Sequence, residues 1–454
     1  SEADLRQESA VRSALDRLGA AAASETQWVV QVPMVIPGET VLARIYRNKN
    51  SYSEADVIRV LEASPERMEP QCKLFGACGG CQYQHMGLDL QREWKRRQVE
   101  DLLLRNEKIS FGAGVLVESP VCTEHGYNYR SKLTPHFDKP KIKVAEAEKS
   151  GEGERVKVLR AIGFKERTSQ NILDVEECPI ATVGINAALP GVRQAAEDEA
   201  YQRYIDSSKP KGGTLLLRDT PADGVVTKHM QLVSETVRGV TFKFRAGDFF
   251  QNNPFVLPLM IDHVIQEAKK PLGPNGEGAR YFLDAYCGGG LFALCASSHF
   301  ERVIGVDISH GSIESAKENM DLNEIKNASF FEADSTEIFK RVQDEVEGSF
   351  TPEESVVVID PPRKGCDEQF LDQLIRFGPR RVVYVACDPS TQARDAKYLL
   401  ANAPYEITRV RPVDLFPQTR HIENVITFDR KEQKQEQKQE QEQEQEQEQE
   451  QEQE

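Results

Sequence analysis

The sequence predicts an α/β protein: a doubly wound domain toward the C-terminus, preceded by a β-rich central domain and a small N-terminal β-barrel. Three observations predict it. Short apolar strands at 281–285, 303–307, 356–360 and 382–386 alternate with helical patterns, as a mostly parallel open sheet requires. The first of them runs into the glycine turn Tyr286-Cys287-Gly288-Gly289-Gly290, and about twenty residues later the next strand ends in Asp307. Near the start, residues 28–32, 41–47 and 55–61 read as short alternating strands, with Pro37-Gly38 and 48–51 as turns.

Taken in order, residues 1–23 carry Val11, Leu15 and Leu18 at helical spacing and read as a helix or tail. Residues 24–66 form the barrel, on which Arg44, Arg47, Lys49 and Arg59 face either phosphates or a neighbouring surface. Residues 67–245 form the central domain. It opens with a cysteine cluster and a charged helix over 91–106 placed against the doubly wound domain, breaks at 149–154, and contains a helix over 185–204. Residues 246–430 form the doubly wound domain, and 431–454 a Gln/Glu tail without an apolar face to bury.

Composition narrows the class. At 454 residues and 39% hydrophobic content the chain can bury a large core, and no stretch has the roughly 18 uninterrupted apolar residues of a membrane span. The first residues lack a signal-peptide pattern, although a chain that starts with Ser leaves an organelle address open. Nine cysteines in a chain this long point to a reducing, intracellular compartment, with cytoplasm, nucleus and organelle unresolved. The net charge of −16 includes three lysines against ten glutamates in the tail, a net −7 that leaves −9 elsewhere, so local basic patches matter more than the total. Nothing indicates an obligate protein partner, and the expectation is a monomer.

Cys72, Cys78 and Cys81 fall within ten residues, with Gly79-Gly80 allowing a tight turn, and Cys178-Pro179 offers a fourth thiol. Three clustered ligands and one remote favour an iron–sulfur site over the paired knuckles of a four-cysteine zinc site, the rival reading. Asp307 suits a ribose diol, or else caps the following helix. The spacing alone does not separate a nicotinamide dinucleotide from S-adenosylmethionine. Asp360-Pro361-Pro362-Arg363-Lys364-Gly365 then follows one apolar strand and Cys387-Asp388-Pro389 the next, which puts a carboxylate and a thiol at the sheet edge where such folds bind ligands. A strand-end cysteine is ordinarily packing, so its neighbours carry the argument. Glu423 follows near the end of the last α/β stretch.

Together these segments resemble the RNA uridine-C5 methyltransferase family, which acts on transfer and 23S ribosomal RNA. The resemblance covers roughly 38–428 and rests on the four cysteines, Phe249-Phe250-Gln251-Asn252-Asn253, the 284–290 turn, the Asp360 loop, Cys387-Asp388-Pro389, and Asp414-Leu415-Phe416-Pro417 through His421-Ile422-Glu423. It implies a Rossmann-like S-adenosylmethionine domain, an OB-like barrel of the TRAM type, and an RNA substrate, with the T-loop of tRNA preferred slightly over rRNA. By resemblance Gln251, Tyr286, Asp307 and Asp360 bind S-adenosylmethionine, Cys387 is the nucleophile, Glu423 the general base, and Cys72, Cys78, Cys81 and Cys178 hold a [4Fe–4S] cluster. Phe249, Phe250, Arg130, Lys132 and Arg363 are candidate RNA contacts. Asp307 stands where the family often has Glu, Leu291 where a polar residue is frequent, and Asp388 where Asn is common. Two rivals stand beside this reading. One is an amino-group methyltransferase, whose acid-Pro-Pro-aromatic loop the Asp360 segment resembles except at Arg363; the other is a non-catalytic RNA-binding scaffold.

Overall fold

The structure, a computed structural model, describes residues 28–112, 114–139, 159–205, 211–271, 277–334, 337–345 and 351–431. The N-terminal helix or tail and the Gln/Glu tail anticipated from sequence lie outside the described residues, as does the 149–154 break. The chain divides into two compact units, one ending at Met68 and the other beginning at Glu69.

In the first unit β1 (Val29–Gln31), β2 (Thr40–Asn48) and β3 (Tyr52–Glu62) form a three-stranded sheet in the order β1-β3-β2. Its edge loop is closed by Arg67, whose guanidinium donates to both Glu39 oxygens at 2.5 and 2.6 Å. That pairing holds the Glu39 carboxyl at about 2, well under the usual range.

The second unit begins with α1 (Leu88–Glu100), which continues into a π-helical turn, Asp101–Asn106. Two small antiparallel sheets follow, β10-β9-β4 and β7-β6-β5-β8, built from β4 (Lys132–Leu133), β5 (His136–Phe137), β6 (Ile162–Lys165), β7 (Ile172–Asp174), β8 (Gly213–Thr214), β9 (Leu217–Thr220) and β10 (Gly224–Val226). The helix α2 (Val183–Ile205) lies between β7 and β8, and the hairpin β11 (Leu232–Val237) and β12 (Val240–Arg245) leads to α3 (Leu257–Lys269).

The rest is one seven-stranded sheet. Its strands are β13 (Tyr281–Ala285), β14 (Arg302–Asp307), β15 (Ala328–Glu332), β16 (Ser355–Ile359), β17 (Arg381–Ala386), β18 (Tyr405–Val413) and β19 (Glu423–Arg430), in the order β15-β14-β13-β16-β17-β19-β18. The first five are parallel, whereas β19 runs antiparallel to both β17 and β18. Between the strands lie α4 (Leu291–Ala296), α5 (His310–Leu322), α6 (Ile338–Glu345), α7 (Glu368–Phe377) and α8 (Pro389–Asn402).

Buried strands are apolar on both faces, and here alternate residues feed two cores. Phe282, Val356 and Val383 pack with Phe242, Met260 and Ile313 on one face. Leu283, Val357 and Tyr384 pack with Phe339, Phe370 and Leu399 on the other, where Val99 and Leu103 of the 91–106 segment join them. Among the described residues no helix is long and apolar enough to cross a membrane.

A buried polar knot ties α1 to the loop between β18 and β19. Lys95, fully buried, donates from Nζ to Asp414 Oδ1 at 2.7 Å and to the Phe416 carbonyl at 3.0 Å. Burial pulls the Lys95 amine below its usual value, and Asp414 works against that. Gln91 exchanges hydrogen bonds with Gln418, and Tyr129 donates to the Pro417 carbonyl at 2.9 Å. Removing Lys95 takes the near partner from the buried Asp414 side chain and leaves it only Arg92, whose Nε stands 3.6 Å away. Lys95→Met is therefore expected to lower stability by about 3 kcal/mol, read from the urea midpoint at unchanged slope.

Candidate active site

The strand order reverses between β13 and β16, and the loops that leave their C-terminal ends meet at the sheet edge. The register pairs Ala285 with Ile359, so Tyr286 and Asp360 emerge side by side. Tyr286 (φ +71°), Gly288 (φ +53°) and Gly290 (φ +87°) all adopt left-handed backbone, which turns the chain sharply into α4. A Cβ on Gly290 would meet Leu294 at 3.1 Å, whereas one on Gly288 would point into open space.

Asp307 ends β14 and braces this turn. One oxygen accepts the Gly288 N–H at 3.0 Å and the other the Ser309 N–H at 2.8 Å. Each oxygen retains a lone pair, which leaves the carboxylate able to accept from a diol. The N-cap reading is thereby corrected: the cap of α5 is Ser309, whose side chain accepts from Ser312. Beneath the turn Asp284 is fully buried, with Oδ2 accepting the Ala293 N–H at 3.0 Å, Oδ1 unpartnered, and its carboxyl pushed well up by burial.

A cavity of about 1230 Å³ opens over the turn, and Gln251, Tyr286, Asp307, Asp334 and Asp360 all line it. It is large enough for a nucleoside-sized ligand with space left over. Gln251 owes its position to the segment before it. Arg218, fully buried, donates to the carbonyls of Ala246 and Asp248, and Lys132 Nζ to those of Gly247 and Asp248. The Phe250 ring stacks on Phe244 at 4.4 Å. Of the candidate RNA contacts, Lys132 and Phe250 are thus committed to holding this segment, while Phe249 stands 80% exposed and Arg363 is exposed.

Sequence reasoning passed over Asn319 of α5, which is buried. Its Oδ1 accepts the Lys243 N–H at 2.8 Å and its Nδ2 donates to the Gly289 carbonyl at 3.3 Å, which joins the β11–β12 hairpin to the glycine turn. An asparagine on a polar helix face gives no signal of such a role.

Cys387 follows the last residue of β17, and Glu423 is the first residue of β19. The antiparallel register sets Ala386 against Asn424, which brings the thiol and the carboxylate to one point on the sheet edge. Burial pushes the half-buried Cys387 thiol up to about 11, with Glu423 and Asp360 adding to the effect and Arg363 opposing it. Glu423 is held well above the usual carboxylate range by burial, then by Asp360, again against Arg363. Burial raises Asp360 to about 7. Asp360 therefore links two places: it lines the cavity and acts on both the thiol and Glu423. Asp388 caps α8, its Oδ1 accepting the Ser390 N–H at 3.0 Å.

The four clustered cysteines lie in one neighbourhood. Burial lifts the Cys81 thiol to about 12, Gln84 opposes this, and Cys178, Cys78 and Cys72 push it further up. The Gly79 N–H donates to the Lys165 carbonyl at 3.1 Å and the Arg167 N–H to the Ala77 carbonyl at 2.8 Å, which fixes the turn against β6. As placed, the four thiols do not form a closed ligand set: among the described residues no three His, Cys, Asp or Glu side chains form a group able to hold a metal ion.

Comparison with known proteins gives a consistent picture. Residues 225–431 match the family model described as tRNA (Uracil-5-)-methyltransferase. The chain is 37% identical over 414 residues to the tRNA (uracil(54)-C(5))-methyltransferase of Schizosaccharomyces pombe, covering 89% of this chain and 74% of that protein. It is 31% identical to the protein of the same description from Saccharomyces cerevisiae, covering 90% and 70%. The fold is similar to the crystal structure of Pyrococcus abyssi tRNA (uracil-54, C5)-methyltransferase in complex with S-adenosyl-L-homocysteine, with a TM-score of 0.63 and 22% identity over 89% of this chain and 96% of the other.

Proposed function

This chain belongs to the tRNA (uracil-5-)-methyltransferase family, and from that premise we propose that it forms 5-methyluridine in the T-loop of transfer RNA through a covalent intermediate on Cys387. It is an S-adenosylmethionine-dependent RNA uracil-C5 methyltransferase. The single observation that carries the covalent reading is the juxtaposition of Cys387 and Glu423 by the β17–β19 register, beside Asp360 at the cavity wall.

S-adenosylmethionine supplies the methyl group. The donor set suits it: the glycine turn admits a close approach to backbone, Asp307 offers acceptors for hydroxyls, and the cavity holds Gln251, Tyr286 and Asp360 around the same space. The Cys387 thiolate adds to carbon 6 of the flipped uracil, and the displaced electron pair lets carbon 5 bond to the methyl group as that group's bond to the donor sulfur breaks and the thioether leaves. Glu423 then takes the carbon 5 proton. The C6–S bond breaks, the 5,6 double bond re-forms and the thiolate is released. Arg363 stands where amine-methylating loops carry an aromatic ring, and those enzymes have no use for a thiol at position 387.

Both groups act deprotonated, and both are raised above their ordinary values, Cys387 to about 11. The expected kcat/KM therefore climbs with pH across the neutral and mildly alkaline range as the thiol–carboxylate pair loses its protons. Arg363 lowers both groups, so Arg363→Met should move the climb to higher pH. A flat profile in the native enzyme, with chemistry rate-limiting, would sink the assignment.

The function is tested by methyl transfer from labelled S-adenosylmethionine to transfer RNA lacking 5-methyluridine, with nucleoside analysis and mapping. Label in 5-methyluridine at position 54, the site in the relatives' descriptions, is the expected outcome. Label at a ribosomal uridine would move the target, and label in an amino group or protein would overturn the reaction.

The four cysteines and the N-terminal sheet complete this reading. Cys72, Cys78, Cys81 and Cys178 would hold an iron–sulfur cluster that braces the central region, supported by their shared neighbourhood and the turn docked on β6. Anaerobic purification should yield about four iron and four sulfide per chain; protein free of both would make these thiols simple packing. The β1–β3 unit would serve as the TRAM-type RNA-binding barrel, supported by the exposed Arg44, Arg47 and Arg59.

A further inference from the structure

One turn of α8 grips the loop that carries Asp360 and Arg363. Asp395 is 1% exposed, and its Oδ2 accepts the Cys366 N–H at 2.8 Å and the Tyr384 hydroxyl at 2.7 Å. Its Oδ1 accepts from Arg394 Nε at 2.9 Å and Nη2 at 2.7 Å. Arg394 Nη2 also donates to the Lys364 carbonyl at 3.0 Å and the Cys366 carbonyl at 3.3 Å, and Thr391 Oγ1 to the Arg363 carbonyl at 3.2 Å. The loop backbone lies directly on this pair. Gly365, at φ +76°, has no room for a Cβ, which would stand 2.6 Å from Asp395 Oδ2 and 2.7 Å from Arg394 Nη2.

These contacts join two elements that chemistry must keep in register. The α8 helix starts two residues after Cys387, and Tyr384 lies three residues before it, so Asp395 reaches β17, α8 and the 360–366 loop at once. Apolar packing would hold a loop as well at lower desolvation cost, so an anion spent here has another use, namely a defined geometry. We infer that Asp395, acting through Arg394, is a positioning residue that fixes Arg363 and Asp360 relative to Cys387, and that the reactivity of the thiol depends on this hold. The inference rests on Cys387 being the nucleophile. The groups acting on that thiol are Glu423 from β19 and Asp360 and Arg363 from the loop, so displacement of the loop changes two of the three.

The test compares the full-length native enzyme with Asp395→Asn, which keeps shape and loses charge, and with Arg394→Lys, which keeps charge and loses the fork. The Arg394 side chain is 54% exposed, so that variant reports even if Asp395→Asn fails to fold. Three quantities are read: kcat against KM for S-adenosylmethionine, the rate at which 5-fluorouridine-containing tRNA is trapped, and the pH midpoint of Cys387 alkylation by iodoacetamide, located by peptide mass. Asp395→Asn is expected to lower kcat by roughly thirtyfold with KM for the donor changed by less than about twofold. Trapping should slow in proportion and the alkylation midpoint should move by about half a unit or more, with Arg394→Lys intermediate. Native trapping rates and an unmoved midpoint in both variants would overturn the positioning role while leaving the nucleophile in place. Absence of a trapped adduct in the native enzyme would overturn the nucleophile assignment itself, and this inference with it.

Discussion

Cys387→Ala is expected to lower methyl transfer by roughly four orders of magnitude or more while leaving folding and methyl-donor binding intact. Carbon 5 of uracil is a weak nucleophile, and the donor methyl is not transferred to it at a useful rate without prior addition at carbon 6. In the proposed mechanism the Cys387 thiolate at the sheet edge supplies that addition. The structural cost of the substitution is small, because Cys387 is half-buried at a strand end and the change removes one sulfur. The measurement is methyl incorporation into tRNA, paired with an equilibrium titration of the donor. A second readout separates nucleophilic loss from misalignment. On 5-fluorouridine RNA the native enzyme should form an adduct that survives denaturation, because fluorine at carbon 5 cannot leave as a proton, and Cys387→Ala should form none. Appreciable methylation by the alanine variant would mean a mechanism without covalent addition, as an amine-methylating enzyme would have.

Much of this site was legible from residue order because its parts lie at strand ends. A run of buried β-branched residues followed by a glycine turn, an acid or a Cys-Asp-Pro step states where a strand stops, and in an open sheet all such stops share one edge. Tyr286, Asp307 and Asp360 accordingly come to one cavity, which Gln251 reaches from the loop after the β11–β12 hairpin. The arrangement of Glu423 was harder to read. Nothing in the 405–430 segment announces that β19 inserts between β17 and β18 in reverse direction, since pairing partners are chosen across the sheet rather than along the chain. The same applies to the holds behind the site. Lys95 and Asp414 lie 319 residues apart, Gln91 and Gln418 lie 327 apart, and polar residues on a charged helix look like solvent-facing ones until the fold buries them. Lys132 illustrates the converse, a basic residue named as a candidate RNA contact that instead satisfies carbonyls of the segment that presents Gln251.

Glu423→Gln should arrest the reaction one step later than Cys387→Ala, and the difference between the two variants is the sharper test of roles. Glutamine keeps the shape of the side chain in a buried position, and it replaces a carboxyl whose charged form burial and Asp360 disfavour, so stability at neutral pH should be unchanged or slightly higher. Attack by Cys387 and methyl transfer do not need the base, whereas loss of the carbon 5 proton does. The variant is therefore expected to lose about two to four orders of magnitude in kcat and, with ordinary uridine RNA, to accumulate a protein–RNA adduct that already carries the labelled methyl. Gel analysis under denaturing conditions with doubly labelled substrates reads this directly. Cys387→Ala should give neither adduct nor product, and the double variant should behave like Cys387→Ala, because the thiol acts first. If Glu423→Gln turns over normally, or its adduct lacks the methyl label, proton removal belongs to another group. Asp360 is then the carboxylate to test, since it acts on both Cys387 and Glu423. Its place on the cavity wall argues against that role: in the proposed arrangement Asp360 stands on the methyl-donor side, whereas the carbon 5 proton points away from the incoming methyl and needs a carboxylate on the other ring face.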